Sequence, residues 1–386
     1  MLIGITGAPS KGKSTFFSAA TMVDVPISPR PFTTIEPNKG ATYVRVDCPC
    51  KGLGTKCNPK NSKCDNGKRL IPMSIVDLAG LVPGAHEGKG LGNQFLDDVR
   101  TADVLVQIID VSGKTDSEGN PIDKFDPAEE IIFLENEIAF WIAGILKKAW
   151  SKIKGRDIEM IASTLTGLRI RKIGIEKVAE KLGLPLEKIN WTDEEILSFS
   201  KSIRERAMPI VIAANKIDLP GAMENYLKLK EEFPERIILP AYAEGELALR
   251  KANDKGIVKY VPGDTDFEII NASAPQKVAL EKIREIMKSN KGTGVQQIID
   301  EAVFNQLKLI VVYPVSDENK FTDHFGSVLP DAVFVKHGTT AIEFAESIHA
   351  DLAKNFIFAV DARKKLRVGK DHVLKNGDII KIVSGK

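Results

Sequence analysis

A glycine-rich loop follows the first apolar run of this sequence and constrains the fold more than any other feature. The run Leu2 to Thr6 predicts a buried strand, and the next eight residues read Gly-Ala-Pro-Ser-Lys-Gly-Lys-Ser. A helix-like stretch from Thr15 to Ala20 comes next. Glycines in such a loop let backbone N–H groups turn toward phosphate oxygens, so the pattern predicts an α/β protein with a P-loop nucleotide site.

Each position of this loop is a candidate for nucleotide contact. The Lys13 ammonium would reach the β- and γ-phosphates, and the Ser14 hydroxyl would bind Mg²⁺. Backbone groups of the loop would surround the phosphates. The candidate residues are Gly7, Ala8, Pro9, Ser10, Lys11, Gly12, Lys13, Ser14 and Thr15.

A second polar motif ends the apolar run Ile71 to Val76 and reads Asp77-Leu78-Ala79-Gly80. An Asp at a strand end can hold Mg²⁺ through water, and the N–H of Gly80 can reach the γ-phosphate. Gly80 and Lys13 are therefore the expected catalytic contacts.

Upstream, the segment 31–38 offers Thr34, or alternatively Thr33, as a switch hydroxyl that joins Mg²⁺ only while the γ-phosphate is present. A plain pair of strand-forming threonines is the other interpretation.

The base-reading motif Asn215-Lys216-Ile217-Asp218 follows the apolar run Pro209 to Ala214. A carboxylate at Asp218 can accept hydrogen bonds from both N1–H and the 2-amino group of guanine, which adenine lacks. After the expected strand Arg236 to Leu239, Tyr242 and Ala243 occupy the place of a further guanine contact, where the Ala243 N–H would reach the base oxygen.

With these motifs in order, the chain resembles the Obg family of GTPases, in its YchF-like archaeal and fungal branch. The resemblance is carried by Pro-Phe-Thr-Thr-Ile-Glu-Pro-Asn at 31–38 and by the long stretch 77–93. It implies a P-loop G domain that hydrolyses GTP to GDP with Mg²⁺. Many YchF-like proteins have an altered Asn-Lys-x-Asp motif and prefer ATP, so the intact motif here implies GTP.

Two departures from related GTPases bear on catalysis. Leu81 stands where many GTPases have a glutamine that orients the attacking water, and an apolar side chain cannot do this. His86, in a glycine-rich segment, is the nearest candidate to take over, although an exposed loop histidine is the alternative. Slow intrinsic turnover is expected in either case. Ser10 and Lys11 replace the Asn-Val pair that is associated with potassium-stimulated hydrolysis, which leaves potassium dependence open.

All four cysteines of the sequence lie within 17 positions, at Cys48, Cys50, Cys57 and Cys64. The polar stretch around them could not order itself by burying apolar area. Four thiolates suit tetrahedral Zn²⁺, and two disulfides or four free thiols are the alternatives.

Chain organisation follows from the spacing of the motifs. We expect a G domain at 1–112 and 207–256 that carries the Cys-rich hairpin 47–68, with a helical insertion at 113–206. A helical joining segment at 257–305 would lead to a β-grasp domain at 306–386. This last stretch resembles a TGS domain, which implies binding to RNA or the ribosome.

Composition and charge narrow the class of protein. Lys and Arg number 54 and Asp and Glu 52, which excludes a polycationic nucleic-acid coat. Basic residues outnumber acidic ones locally, in Lys147 to Lys177 and in the run Arg363 to Arg367. Either stretch could contact RNA phosphates. No apolar run spans a membrane and no secretory leader is recognisable, so we expect a cytoplasmic protein. A regulatory GTPase on the ribosome or RNA is the main hypothesis. An RNA-binding adaptor with nucleotide as a structural ligand, and an ATPase, are the alternatives.

Overall fold

The computed structural model describes residues 1–22, 38–78, 80, 84, 98–168, 170 and 172–385. This part of the chain divides into two compact units. One unit comprises Met1–Gly40 and Ser74–Ile298, and the other comprises Ala41–Met73 and Ile299–Lys386.

A mostly parallel sheet forms the centre of the nucleotide-binding fold. Its strands are β1 (Leu2–Thr6), β2 (Asn38–Asp47), β3 (Lys63–Asp65), β4 (Lys68–Asp77), β5 (Val104–Asp110), β6 (Ile210–Asn215) and β7 (Ile237–Pro240). The order is β2-β4-β1-β5-β6-β7, with β3 antiparallel to β4. Parallel pairing sets Ile5 opposite Asp77 and sets Asp110 opposite Asn215. The polar residues that end these strands therefore meet at one edge of the sheet, where α/β folds bind ligands.

The helices of the described residues, in order, are α1 (Lys13–Thr21), α2 (Pro49–Leu53), α3 (Pro127–Lys148), α4 (Trp150–Ile153), α5 (Ile158–Thr164), α6 (Lys172–Lys181), α7 (Asp193–Ala207), α8 (Ala222–Glu232), α9 (Ala243–Asp254), α10 (Ala274–Asn290), α11 (Val295–Glu301), α12 (Ala341–Ile348) and α13 (Ala350–Lys354). A 3₁₀ turn covers Thr166–Leu168, a π-helical turn covers Ala302–Gln306, and a short antiparallel pair joins β8 (Val258–Lys259) to β9 (Glu268–Ile269). No helix among these described segments is long and apolar enough to cross a membrane.

A helical insertion separates β5 from β6, and the periodicity over Ala128 to Lys148 and Glu194 to Arg206 predicts its two main helices, α3 and α7. Helix α3 begins after Asp126, whose side chain accepts a hydrogen bond from the Ala128 N–H. Helix α7 begins with a capping box in which Thr192 and Glu195 exchange side-chain and backbone hydrogen bonds. The apolar faces of α3 to α7 share one core that includes Ile138, Trp191 and Phe199. The helical-insertion part of the expected fold class is confirmed.

The C-terminal part has the β-grasp fold that the sequence predicts. Its sheet has the order β11-β10-β14-β12-β13, built from β10 (Leu309–Pro314), β11 (Val333–Lys336), β12 (Phe356–Asp361), β13 (Leu366–Val368) and β14 (Ile379–Ser384). Helix α12 packs its Phe344 into the core that this sheet forms.

One helix prediction in this part is wrong. The alternation over Thr340 to Leu352 predicts one helix, but the structure has two, α12 and α13. His349 interrupts them with an extended backbone, at φ −161°, and its Nδ1 accepts a hydrogen bond from the Asp351 N–H at 3.2 Å. This local cap competes with continuation of the helix.

Candidate nucleotide-binding site

The P-loop backbone depends on two glycines. Gly7 has φ +142° and Gly12 has φ +93°, both in the region that favours glycine. A Cβ on Gly7 would lie 2.3 Å from the carbonyl oxygen of Ile108, and one on Gly12 would lie 2.3 Å from Asn215 Nδ2. The loop is thus packed directly against β5 and β6, and neither glycine can be replaced without displacing it.

The charged groups that would face phosphates and Mg²⁺ lie side by side at the end of this loop. Lys13 Nζ donates to the Ala8 carbonyl at 2.8 Å, and burial lowers its pKa to about 8, with Asp77 acting in the opposite direction. The Ser14 hydroxyl donates to Asp77 Oδ2 at 3.4 Å. Burial raises the pKa of Asp77 to about 6, against the charge of Lys13.

One oxygen of this group is left without a protein partner. Asp77 Oδ1 is buried and accepts no hydrogen bond among the described residues. A hydroxyl and a carboxylate with a free lone pair are oxygen ligands of the kind that Mg²⁺ prefers. The residues present therefore fit a magnesium ion.

Asn215 connects the two loops on either side of the base-reading motif. Its Nδ2 donates to the Lys11 carbonyl at 3.0 Å, and its Oδ1 accepts from the Ala243 N–H at 3.2 Å. The side chain is buried at 3 % exposure. The Ala243 N–H, expected to reach the base, is thus engaged by Asn215, while the Tyr242 N–H donates to the Thr293 carbonyl at 2.7 Å.

Asp218 and Tyr242 are neighbours at the expected guanine position. Burial raises the pKa of Asp218, and the charge of Glu244 adds to this. Burial also raises the pKa of Tyr242 to about 12, with Asp218 contributing. The Tyr242 ring lies against Gly245, where a Cβ would stand 2.3 Å from the ring. The tyrosine that replaces a small residue here is therefore accommodated by that glycine.

Lys216 belongs to a hydrogen-bonded network around the buried Asp110, which the sequence did not indicate. Its Nζ donates to the Ser10 carbonyl at 2.9 Å and to Asp110 Oδ2 at 2.8 Å. Thr115 Oγ1 donates to the same carboxylate oxygen at 2.8 Å. Burial alone would raise the pKa of Asp110, but these bonds and one from Ser112 hold it below its ordinary value. Asp110 thus stays ionised and orients Lys216 across the P-loop.

Lys11 turns away from the expected phosphate position. Its Nζ lies 2.9 Å from Glu130 Oε1 and donates to the carbonyl and hydroxyl of Thr115 at 2.9 and 2.8 Å. Both side chains of the ion pair are buried, at 0% and 3% exposure, and burial raises the pKa of Glu130 to about 7. The sequence contains one indication that Glu130 is buried. Glu130 and Glu137 fall on the apolar face of α3 that also holds Leu134, where an acidic residue needs a partner.

The candidate switch residues are only partly described. Thr33, Thr34, Leu81 and His86 lie outside the described residues. At Gly80, a Cβ would lie 3.4 Å from Lys13 Nζ, which places this glycine beside the P-loop lysine as expected from the motif. A second glycine of the segment, Gly84, donates its N–H to Glu137 Oε1 at 3.0 Å.

The remaining candidate sites are the cysteines and the basic stretches. All four cysteines are free thiols, and their sulfur atoms lie within 4.8 Å of one another. The run Arg363 to Arg367 is largely occupied by contacts within the chain: Lys364 pairs with Asp361, and Arg367 lies over the Phe358 ring. In the insertion, Lys147 and Lys172 form ion pairs with acidic neighbours.

Comparison with known proteins agrees with this geometry. Residues 2–140 match the 50S ribosome-binding GTPase family, residues 213–317 match the G4 motif-containing domain of YGR210-like Obg-like GTPases, and residues 325–384 match the TGS domain. The chain is 48% identical to a GTP-binding protein of Methanocaldococcus jannaschii, over 99% of each chain. It is 25% identical to the ribosome-binding ATPase YchF of Buchnera aphidicola, over 98% of this chain and 97% of the other.

A solved structure extends the comparison to the fold. The GTP-binding protein from Pyrococcus horikoshii is 40% identical and superposes with a TM-score of 0.80, with all of both chains covered. The fold and the site define a P-loop GTPase with a C-terminal TGS domain. The chain belongs to the Obg-like, YchF-like family of GTP-binding proteins.

Proposed function

We propose that this GTPase is a slow nucleotide-dependent switch that reads guanine through Asp218 and acts on the ribosome. The observation that carries the site assignment is the Asn215 side chain, which bonds the P-loop at Lys11 to the loop at Ala243. This bridge holds the P-loop next to the loop at Ala243, which supports the proposal that one nucleotide spans both.

Each residue of the site has a definite part in the proposed reaction. The P-loop amides and Lys13 would bind the β- and γ-phosphates, and Ser14 and Asp77 would hold Mg²⁺, which supplies positive charge that neutralises the phosphates when it is bound. The Gly80 N–H would contact the γ-phosphate, and the Thr34 hydroxyl would bind Mg²⁺ only while that phosphate is present. Because Leu81 cannot orient water, we assign that part to His86 and expect slow turnover without a partner.

Nucleotide binding by matched base analogues tests the guanine assignment. Inosine triphosphate lacks only the 2-amino group, so wild-type protein should bind it more weakly than GTP. A hydrogen bond to a charged group contributes about 1.5–3 kcal/mol, which corresponds to roughly a tenfold to hundredfold difference in Kd. In Asp218→Ala this difference should vanish. Glu244→Gln removes a neighbouring exposed charge that does not read the base, so it should keep the discrimination.

The ribosomal part of the proposal rests on the relatives and on the TGS domain. One relative is a ribosome-binding ATPase by name, and residues 2–140 match a family of 50S ribosome-binding GTPases. In this chain, Lys152, Lys154 and Arg156 are exposed on the insertion. Such side chains can meet RNA phosphates, and binding through them weakens steeply with salt. A ribosomal partner also implies a cytoplasmic location.

Single-turnover hydrolysis of GTP and ATP, with and without ribosomes, tests the switch. We expect GTP-selective hydrolysis that accelerates on ribosomes, and sedimentation with ribosomes that is stronger with a non-hydrolysable GTP analogue than with GDP. Reversing Lys152, Lys154 and Arg156 to Glu should reduce sedimentation, whereas reversing the exposed Lys228 on α8 should not. Tight GTP binding with no turnover in either condition would favour an adaptor, and equal use of ATP would refute the role of Asp218.

The cofactor proposal has two metals. Mg²⁺ belongs to the nucleotide at Ser14 and Asp77. A structural zinc ion belongs to the four clustered cysteines, and it takes no part in hydrolysis.

A further inference from the structure

The cysteine cluster has nearly the dimensions of a tetrathiolate metal centre. The Sγ atoms of Cys48 and Cys57 are 3.9 Å apart, as are those of Cys50 and Cys64, and all four lie within 4.8 Å of one another. A Zn–S bond of about 2.3 Å implies sulfur–sulfur edges of about 3.8 Å in a regular tetrahedron. The four sulfurs can therefore surround one ion after movements of an ångström or less. Disulfide formation would require each pair to close by nearly 2 Å.

Short, regular elements bring the thiols together. Cys48 donates its N–H to the Gly67 carbonyl at 2.8 Å and stands just before α2, which holds Cys50 in its first turn. Cys64 lies on β3 opposite Arg69 of β4. Cys57 comes from the polar loop between them. A metal must displace the protons of these thiols on binding, because the thiolate is the ligand.

A buried arginine, Arg69, lies beside the cysteine cluster. Arg69 has 0% exposure, and its Nη1 lies 3.6 Å from Cys57 Sγ. Its Nη2 donates to the Leu329 carbonyl, and its guanidinium lies 5.5 Å from the centroid of the Tyr313 ring. In the part of the chain that the structure describes, no carboxylate lies within 4.0 Å of this guanidinium. A buried cation of this kind is costly unless an anion is near.

Hydrogen bonds also attach the cysteine loop to the β-grasp part of the same compact unit. The Asn58 N–H donates to the Val328 carbonyl at 2.8 Å, and the Lys60 N–H donates to the Pro330 carbonyl at 2.7 Å. Asn61 and Ala332 exchange two further hydrogen bonds, at 2.9 and 3.0 Å. Cys48 and Cys50 belong to the same apolar core as Tyr313 and Leu329. An ion that orders the cysteine loop therefore also orders residues 328–332.

We infer that Cys48, Cys50, Cys57 and Cys64 bind one zinc ion as thiolates and that Arg69 is its buried counter-charge. Four thiols release four protons to solvent and bind Zn²⁺ as thiolates, which gives a centre of net charge −2. The positive charge of the buried Arg69 guanidinium partly neutralises this centre. The ion fixes the segment 48–65 against 328–332. The inference rests on the cofactor part of the proposed function and is independent of GTP hydrolysis.

Metal analysis of the intact protein tests the zinc centre without any variant. Protein purified without chelator should contain one zinc per chain, and Co²⁺ exchanged into it should show the absorption of a tetrahedral tetrathiolate. After chelation and denaturation, without reductant, four thiols should react with a thiol reagent. Metal-free protein with four thiols, protein with two disulfides, or iron in place of zinc would each overturn the inference.

Variants separate the zinc centre from the nucleotide site. Cys57→Ser and Cys64→Ser should lose zinc and melt at lower temperature, whereas Lys56→Ala, an exposed neighbour in the same loop, should keep both properties. Arg69→Met should bind zinc roughly ten to a hundred times more weakly in competition with a chelator, and Arg69→Lys should recover part of this. Unchanged zinc affinity in Arg69→Met would refute the counter-charge. GTP hydrolysis by the zinc-loaded protein, measured in parallel, reports separately on the proposed function.

Discussion

Replacing Asn215 by alanine should weaken both the fold and the nucleotide site, because this side chain bonds two loops at once. The variant leaves the Lys11 carbonyl without the amide that now donates to it, and leaves the Ala243 N–H without its acceptor. Both residues are buried, at 0% and 1% exposure, so water does not readily replace the lost partner.

The size of the effect follows from the two hydrogen bonds. A buried polar group left unsatisfied costs about 1–3 kcal/mol, so two of them cost roughly 2–6 kcal/mol, and a value near 3 is reasonable with some relaxation. For a domain of this size, 1 kcal/mol shifts Tm by about 2–4 °C, which gives a decrease of about 6–12 °C. The Kd for GTP should increase at least tenfold, because binding must order the two loops again.

Thermal unfolding and fluorescent-GTP titration measure the two effects. Asn225→Ala is the matched control, because its amide donates to the Val111 carbonyl at 2.9 Å and to neither the Lys11 carbonyl nor the loop at Ala243. That variant should lose about half as much stability and keep GTP affinity. If Asn215→Ala bound GTP with a Kd within threefold of the wild-type value, the bridge would not organise the site. The same conclusion would follow if Asn215→Ala and Asn225→Ala had the same melting temperature.

Two further predictions concern titrating groups. Because burial lowers the pKa of Lys13 to about 8, the ammonium is lost as pH rises from 7 to 9, and GTP affinity should fall over that range; Lys13→Arg stays charged, and an equal fall in that variant would contradict the assignment. Burial raises the pKa of Glu130 to about 7 from 4.5, so the folded state binds more protons than the unfolded state between these values. Stability should therefore decrease as pH rises from 4.5 to 7, and melting curves of Glu130→Gln should show a weaker dependence; identical profiles would rule out Glu130 as the source.

The fold was predictable because its signals are local. The strand before Gly7, the apolar runs ahead of Asp77 and Asn215, and the periodicity of α3 each report burial within a few residues. His349 shows where this reasoning ends. A side-chain cap of one backbone N–H outweighed a helical pattern that continues on both sides of it.

The site was predictable where a motif fixes the chemistry, and not where distant residues meet. Lys13, Ser14 and Asp77 lie together as the motifs require. The turn of Lys11 toward Glu130 depends on how α3 packs, and this follows from the whole insertion rather than from the P-loop. Asn215 was expected in a base-reading motif, but its bridge between two loops depends on the parallel register of β5, β6 and β7.

Helix α3 contacts two parts of the nucleotide site through two of its own carboxylates. Glu130 pairs with the P-loop lysine Lys11, and Glu137 accepts the N–H of Gly84, in the segment that follows the Asp-x-x-Gly motif. Glu137 comes seven positions after Glu130 in the helix, a rise of about 10.5 Å. A helix resists compression along its axis, so α3 keeps a fixed distance between its contact with Lys11 of the P-loop and its contact with Gly84. If Gly84 moves away from Glu137 while α3 stays in place, this hydrogen bond breaks, and if α3 moves with Gly84, the helical insertion that shares the core of α3 moves too.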